Sequence, residues 1–345
     1  MKATIFQGPG KIKVEEVPDP VIHDPTDVIV KVGYACICGS DLWPYRGLVN
    51  RPEGSRIGHE FMGVVEALGS EVKTMKLGDL VVAPFVVSDG TCPECLVGMT
   101  TACRNRQSWG LNGNDGGQGQ KVRVPWADGT LVVIPQDNLD DHMLRALLPL
   151  SDVLSTGHHA AVSAGVSQGL TVAVIGDGAV GLCAVAASKR LGASKIFLLS
   201  THPDRAAVGK QFGATNIVAA RGDEAVEQIK SLTNSLGVDA ALECVGTAES
   251  WDTAFGVVRA GGNIGAVGLP HQTPDIPISK IFSRNIGVKG SAAPARHYIP
   301  ELLPDVLSGK LDVSAIFTIT LPLDKIAQGY QAMDERKEIK VLIKP

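Results

Sequence analysis

Val172-Ala-Val-Ile-Gly176-Asp-Gly178-Ala-Val-Gly181 decides the fold of the second part of this chain. An apolar, β-branched run ends in G-x-G-x-x-G and passes directly into alanine-rich sequence with helical spacing, the strand-turn-helix setting in which this motif binds a dinucleotide. Gly176 permits the tight turn, Gly178 lets a pyrophosphate approach the backbone, and Gly181 lets the helix pack on the sheet. The helix start at Ala179 and Val180 supplies free N–H groups and the positive end of the helix dipole to phosphate. The alternative is a plain strand-to-helix turn with no ligand.

An NAD site wants an acidic residue about 20 residues further on, where it bonds the ribose 2′-hydroxyl. Here the next strand-like run, Lys195 to Leu199, ends in Ser200-Thr201-His202-Pro-Asp204-Arg205. Ser200 is neutral, and His202 and Arg205 can face a 2′-phosphate that a carboxylate would repel. NADP is favoured on this reasoning, and Asp204 keeps NAD open as the alternative.

Around the motif, the apolar runs Leu170 to Ile175, Lys195 to Leu199, Ala240 to Val245 and Asn263 to Val267 alternate with helix-like segments at Ala179 to Leu191 and Asp223 to Leu236. That alternation predicts βαβ units and a doubly wound parallel sheet buried on both faces. Before about Leu150 the character differs. Short β-rich runs, Asp27 to Val32, Met62 to Leu68 and Leu80 to Val87, are separated by Gly, Pro and Asp, which predicts a β-rich lobe with long loops. The tail holds helix-like pieces at Pro300 to Leu307 and Leu323 to Asp334 and a last strand at Ile339 to Ile343. Periodicity does not say to which lobe the tail belongs.

The chain has 345 residues, about two domains' worth, with 44% hydrophobic and 20% charged residues, so two packed cores are expected and disorder is not. Lys and Arg number 32 against 36 Asp and Glu, a net charge of −4, so no positive field recommends a nucleic-acid partner. No secretory leader or stretch long enough for a membrane span is evident, and a cytoplasmic protein is the expectation. The 39 glycines exceed ordinary usage of about 7% and ask where backbone must stay bare.

Seven cysteines include Cys92, Cys95 and Cys103 in one loop, residues 88–104. With Asp89 the spacing is D-x2-C-x2-C-x7-C, a donor set suited to a closed, tetrahedral structural zinc. The alternative is a thiol-rich loop in which Asp89 only opens a turn. A second set is scattered: Cys36-Ile-Cys38-Gly-Ser40-Asp41, Gly58-His59-Glu60 and Ser151-Asp152. Thiolate, imidazole and carboxylate far apart in sequence could converge on an open catalytic zinc or serve as core cysteine and surface acids, and spacing does not choose between Cys36 and Cys38.

Taken together, Cys38-Gly-Ser-Asp41, Gly58-His-Glu60, Gly78-Asp79-x-Val81, the cysteine loop, Asp152-Val-Leu-Ser-Thr156-Gly157, Gly176 to Gly181 and Val267-Gly-Leu-Pro270 resemble the zinc-dependent medium-chain alcohol dehydrogenase family over nearly the whole chain. The resemblance implies a GroES-like catalytic domain over residues 1–152, a Rossmann coenzyme domain over 153–296, and a segment, 297–345, that returns to the catalytic domain. It chooses Cys38, with His59 and Asp152, as ligands of a catalytic zinc, and sets Glu60 beside them as an occasional ligand. It also implies that Ser40 takes the alcohol proton, that Asp41 bonds the far nitrogen of His59, and that Thr156, Val267, Leu269 and Ser291 surround the nicotinamide. Lys340 matches a cationic position near the pyrophosphate, and Trp43, Phe85, Trp109 and Leu269, with Ser40, match the substrate pocket.

The implied activity is hydride transfer between an alcohol carbon and a nicotinamide cofactor, with two zinc ions per subunit and a small alcohol, aldehyde or ketone as substrate. Polyol, sugar or amino-acid dehydrogenation on the same scaffold is the nearest rival, and a zinc-free, crystallin-like dinucleotide binder is the rival of another class. A homo-oligomer is implied, with a tetramer favoured over a dimer. Two departures stand out. Asp89 replaces the first of four loop cysteines, and Trp43 occupies the place of a relay histidine, where an indole N–H cannot take up a proton.

Overall fold

The computed structural model describes residues 1–136, 138–270 and 275–345. The chain divides into two compact units, Met1–Asp152 with Pro294–Pro345, and Val153–Ala293.

The first unit is built on strands β1 (Lys2–Phe6), β2 (Ile12–Glu16), β3 (Val28–Cys36), β4 (Glu60–Leu68), β5 (Leu80–Ala83), β6 (Lys121–Val124) and β7 (Val132–Val133). β3 runs well past Val32, because its pairing with the strand Glu60–Leu68 continues to Cys36. β5 stops at Ala83, before Pro84, and is shorter than the run Leu80 to Val87 suggests. Leu80, Val82 and Met62 belong to the β4–β5 ladder, and β3 pairs antiparallel with β4 so that Cys36 lies opposite Glu60. The core collects Phe6, Val28, Val30, Ile37, Phe61 and Val81, among others.

The second unit carries β8 (Thr171–Ile175), β9 (Lys195–Leu199), β10 (Asn216–Val218), β11 (Val238–Glu243), β12 (Val258–Ala266) and β13 (Gly287–Gly290). Among the described residues these form one parallel sheet in the order β10-β9-β8-β11-β12-β13. The central strands are buried along nearly their full length, which is why they read as continuous apolar runs. The sequence pattern missed β13, whose residues are half-buried or exposed and carry no apolar signal.

The tail rejoins the first unit. β14 (Phe317–Pro322) pairs parallel with β15 (Lys340–Lys344), and β15 pairs antiparallel with β3, giving a seven-stranded order β14-β15-β3-β4-β5-β7 with β6 on β3. β3 therefore has β15 on one side and β4 on the other. No helix among the described residues is long and apolar enough to cross a membrane.

Candidate metal centres and dinucleotide loop

β3 ends at Cys36, and Cys38 is already the N-cap of a single 3-10 turn, Gly39–Asp41. The two cysteines therefore do not share a strand face. Cys36 Sγ donates to Glu60 Oε2 at 3.3 Å, whereas Cys38 Sγ lies 3.7 Å from Asp152 Oδ2. His59 precedes β4 and points Nε2 at Asp152 Oδ2, 3.4 Å away, while its Nδ1 meets Asp41 Oδ1 at 3.3 Å. Asp152 follows the 3-10 turn Leu148–Ser151. Ligand atoms of Cys38, His59, Glu60 and Asp152 all lie within 4.8 Å of one another.

A chain of buried polar groups holds this cluster. Asp41 Oδ2 accepts from the Cys38 backbone N–H and from Gln118 Nε2, both at 3.1 Å. Gln118 Nε2 also donates to the Cys36 carbonyl, and Tyr330 donates its hydroxyl to Gln118 Oε1 at 2.9 Å. Gly58 explains itself here: it has φ +96°, and a Cβ at this place would stand 2.4 Å from Gln118 Cγ. Gln118 and Tyr330 escaped the sequence reading because neither belongs to a motif, and only the fold brings them to Asp41.

The electrostatics suit a cation. Burial works against the imidazolium of His59, but the charges of Asp41 and Cys38 outweigh it and raise its pKa well above the ordinary value. Burial raises the Cys38 thiol, and the Asp152 charge adds to that. A divalent cation bound by such groups would displace their protons.

The second cluster is local. Cys92 caps the short helix Pro93–Leu96 and Cys103 closes the turn Thr100–Ala102, which places their sulfurs 3.8 Å apart. Asp89, Cys92, Cys95 and Cys103 offer ligand atoms within 4.8 Å of one another. Asp89 Oδ1 accepts the backbone N–H of Thr91 and of Cys92 at 2.7 and 2.9 Å, and Asn105 donates to Oδ2 at 2.8 Å. Slight burial opposes it, yet these donors hold the Asp89 carboxyl far below the usual carboxylate range. Both donor sets fit zinc, since ligands at about 2.0–2.3 Å from a tetrahedral centre stand about 3.3–3.8 Å apart.

In the second unit the glycine loop turns as its motif requires. Gly176 has φ +112°, Gly178 caps the helix Ala179–Arg190, and a Cβ on Gly181 would lie 1.9 Å from the Gly176 carbonyl oxygen. Ser200 donates to Asp177 Oδ2 at 2.7 Å, and Arg205 lies 3.5 Å from Asp177 Oδ1. Arg221 donates to Thr201 Oγ1 at 3.2 Å, and His202 caps the helix Pro203–Phe212. Asp177 and Arg221 were missed by looking for the ribose partner only at the strand tip. Thr156 is buried on the helix Val153–Ser163, and one turn on, His159 Nε2 lies 3.0 Å from Ser291 Oγ. Val267 is half-buried, and Leu269 is 54% exposed.

Two of the expected site residues lie deep in the first unit. Trp109 is a core residue: it is 3% exposed, donates its indole N–H to the Pro84 carbonyl, and meets the Phe61 ring edge-on at 5.0 Å. Lys340 is 1% exposed and donates to Glu60 Oε1 at 2.6 Å and to the Ile37 carbonyl at 3.2 Å, so its ammonium is bonded inside the first unit. Ser40 and Trp43 stay half-buried in the segment after Cys38, and Phe85 is half-buried with its N–H on the Ser151 carbonyl.

Comparison with known proteins decides the family. Residues 24–136 match the alcohol dehydrogenase GroES-like domain, and residues 179–308 match the zinc-binding dehydrogenase domain. A probable zinc-binding alcohol dehydrogenase of Mycobacterium tuberculosis is 36% identical over 349 residues, covering 100% of this chain and 89% of the relative. The chain belongs to the zinc-dependent medium-chain dehydrogenase family. Members of known structure agree with the fold described above. An alcohol dehydrogenase from Thermus sp. ATN1 superposes with a TM-score of 0.93 at 34% identity, covering 100% of this chain and 99% of that one. A zinc-binding dehydrogenase from Sinorhizobium meliloti bound to NADP superposes with a TM-score of 0.84 at 28% identity, covering 100% and 99%. The dehydrogenase is thus an oxidoreductase whose cofactors are zinc and a nicotinamide dinucleotide.

Proposed function

We propose that this dehydrogenase interconverts a small alcohol and its aldehyde or ketone, passing hydride between the alcohol carbon and a nicotinamide cofactor, with NADP preferred to NAD. The observation that carries this reading is the convergence of Cys38 Sγ, His59 Nε2 and Asp152 Oδ2 in one buried cluster. Cys38, His59 and Asp152 would hold the catalytic zinc, which when bound acts as a Lewis acid on the substrate oxygen.

The chain's own groups supply the rest. Asp41, fixed by Gln118, keeps the proton of His59 on Nδ1 and leaves Nε2 free as a ligand. Ser40 Oγ lies 3.5 Å from His59 Nε2, next to the cluster, and relays the alcohol proton, accepting it on its oxygen as its own hydroxyl proton passes on towards the cofactor ribose and solvent. The loop Gly176–Gly181 receives the pyrophosphate on bare backbone and on the start of its helix. Asp89, Cys92, Cys95 and Cys103 would hold a structural zinc, making two per chain.

The NADP preference rests on Ser200, His202, Arg205 and Arg221, three of them basic, around the tip of β9. Asp177 accepts from Ser200 and Arg205 and acts against it, so the preference is moderate in size. The zinc-free structural rival has no use for a buried thiol, imidazole and carboxylate in mutual contact. A screen of alcohols and carbonyls with both cofactors, read by reduced-nicotinamide absorbance, tests the reading. Turnover of one alcohol series with higher kcat/KM for NADP is expected. Turnover of none overturns the activity, and an equal or higher value with NAD overturns the coenzyme preference.

A further inference from the structure

Glu60 poses a problem for an open zinc site. Its carboxylate belongs to the same cluster as Cys38, His59 and Asp152, within 4.8 Å of their ligand atoms, and it is fully buried. A thiolate and one carboxylate balance the charge of a divalent metal. A second carboxylate would fill the fourth position and leave no room for substrate. Yet each oxygen of Glu60 already has a donor, an ammonium on one and a weaker thiol on the other. Lys340 Nζ lies 2.6 Å from Oε1, and Cys36 Sγ lies 3.3 Å from Oε2.

Strand register makes both contacts. Cys36 is paired with Glu60 across the β3–β4 ladder, and β15 delivers Lys340 from the other side of β3, where the Ile37 carbonyl accepts a second hydrogen bond from it. Lys340, Cys36 and Glu60 are all buried, so a lysine ammonium in this position has a desolvation cost that the Glu60 charge and the Ile37 carbonyl offset.

We propose that Lys340 and Cys36 clamp Glu60 off the catalytic metal, one donor on each carboxylate oxygen, and so keep the zinc site at three protein ligands. The clamp rests on the catalytic-zinc reading above. Lys340 cancels the charge of Glu60, and Cys36 fixes the plane of its carboxylate. Both are positioning residues that act through Glu60. Loss of either donor frees an oxygen that competes with any incoming ligand for the fourth position.

Cobalt substitution separates this proposal from the reading beneath it. The parent chain loaded with cobalt is titrated with imidazole, and the visible bands report entry of imidazole at the open position. Lys340→Met is expected to weaken imidazole at least about tenfold, the scale of effects from groups that orient metal ligands. Lys340→Met with Glu60→Gln is expected to restore parental affinity, because a neutral amide competes poorly. Cys36→Ala, a small change that spares the fold, is expected to weaken imidazole a few-fold even if the lysine variant does not fold. A parent whose bands ignore imidazole overturns the open-site reading and the clamp with it. A responsive parent with unchanged affinity in Cys36→Ala and in every folded Lys340→Met protein overturns the clamp alone.

Discussion

The two ligand clusters are opposites in construction. Asp89, Cys92, Cys95 and Cys103 come from one short loop, with the carboxylate held by backbone N–H groups of its own turn and by Asn105. Cys38, His59, Glu60 and Asp152 come from distant segments, and their neighbours Asp41, Gln118, Tyr330, Cys36 and Lys340 are buried in the β lobe. A local loop with little apolar material is held mainly by hydrogen bonds of its own turns and of Ser88 to Thr130, so a metal there is expected to act on folding. A cluster set by strand register is already formed when the metal arrives, so its metal is free to act on substrate.

The sharpest break of that comparison is Cys38→Ala. It should lower kcat/KM by about 10³-fold or more, since a Lewis acid is worth several kcal/mol of barrier. Coenzyme affinity by titration and thermal stability should change little. Full activity in this variant would remove Cys38 from the metal. Cys92→Ala should do the reverse. Metal analysis is expected to fall from about two zinc ions per chain to about one, with a lower thermal midpoint and with activity per folded chain within about twofold of the parent. A Cys92→Ala protein with parental zinc content would show that the loop holds none.

What could be read from sequence follows the same division. The glycine loop was legible because its demands are local: a positive φ at Gly176 and a carbonyl oxygen where Gly181 would carry a Cβ. The alternation of strands and helices was legible because a doubly covered sheet needs apolar runs. The dispersed ligand set was not legible by spacing, and only resemblance named it. Gln118, Tyr330 and the Lys340 to Glu60 contact were out of reach, because each depends on which distant segments become neighbours. The packing of Trp109 was out of reach for the same reason: resemblance matched it to pocket lining, and only the fold sets Pro84 and Phe61 beside it.

The second unit offers a control, since burial by itself does not make a histidine cationic. His59 is raised by Asp41 and Cys38 against its burial, whereas His159 is pushed down to about 4 by burial, with the Lys289 and His158 charges adding. An unfolded histidine titrates near about 6.5, so between that pH and about 4 the unfolded chain binds more protons and stability is lost as pH falls through this window. Above it the contribution of neutral His159 is fully present. After discount for solvent screening, about 1 kcal/mol is expected. His159→Gln should flatten denaturation midpoints over that range, and an unchanged pH profile would refute the assignment.

A last contrast compares the groups that orient each carboxylate. Gln118 is 1% exposed and touches Asp41, the Cys36 carbonyl and Tyr330, so Gln118→Ala leaves several buried partners unsatisfied at once. It should weaken metal at the dispersed cluster by about 10-fold to 100-fold. Asn105→Ala removes one exposed hydrogen bond from Asp89, whose other oxygen keeps both backbone donors. That bond is worth about 0.5–1.5 kcal/mol, so a loss of a few-fold is expected at the loop cluster. Competition with a chromophoric chelator measures both. If the Asn105 variant loses more metal than the Gln118 variant, the loop depends on its side chains rather than on its own backbone turn, and the contrast between a metal-folded loop and a preformed pocket fails.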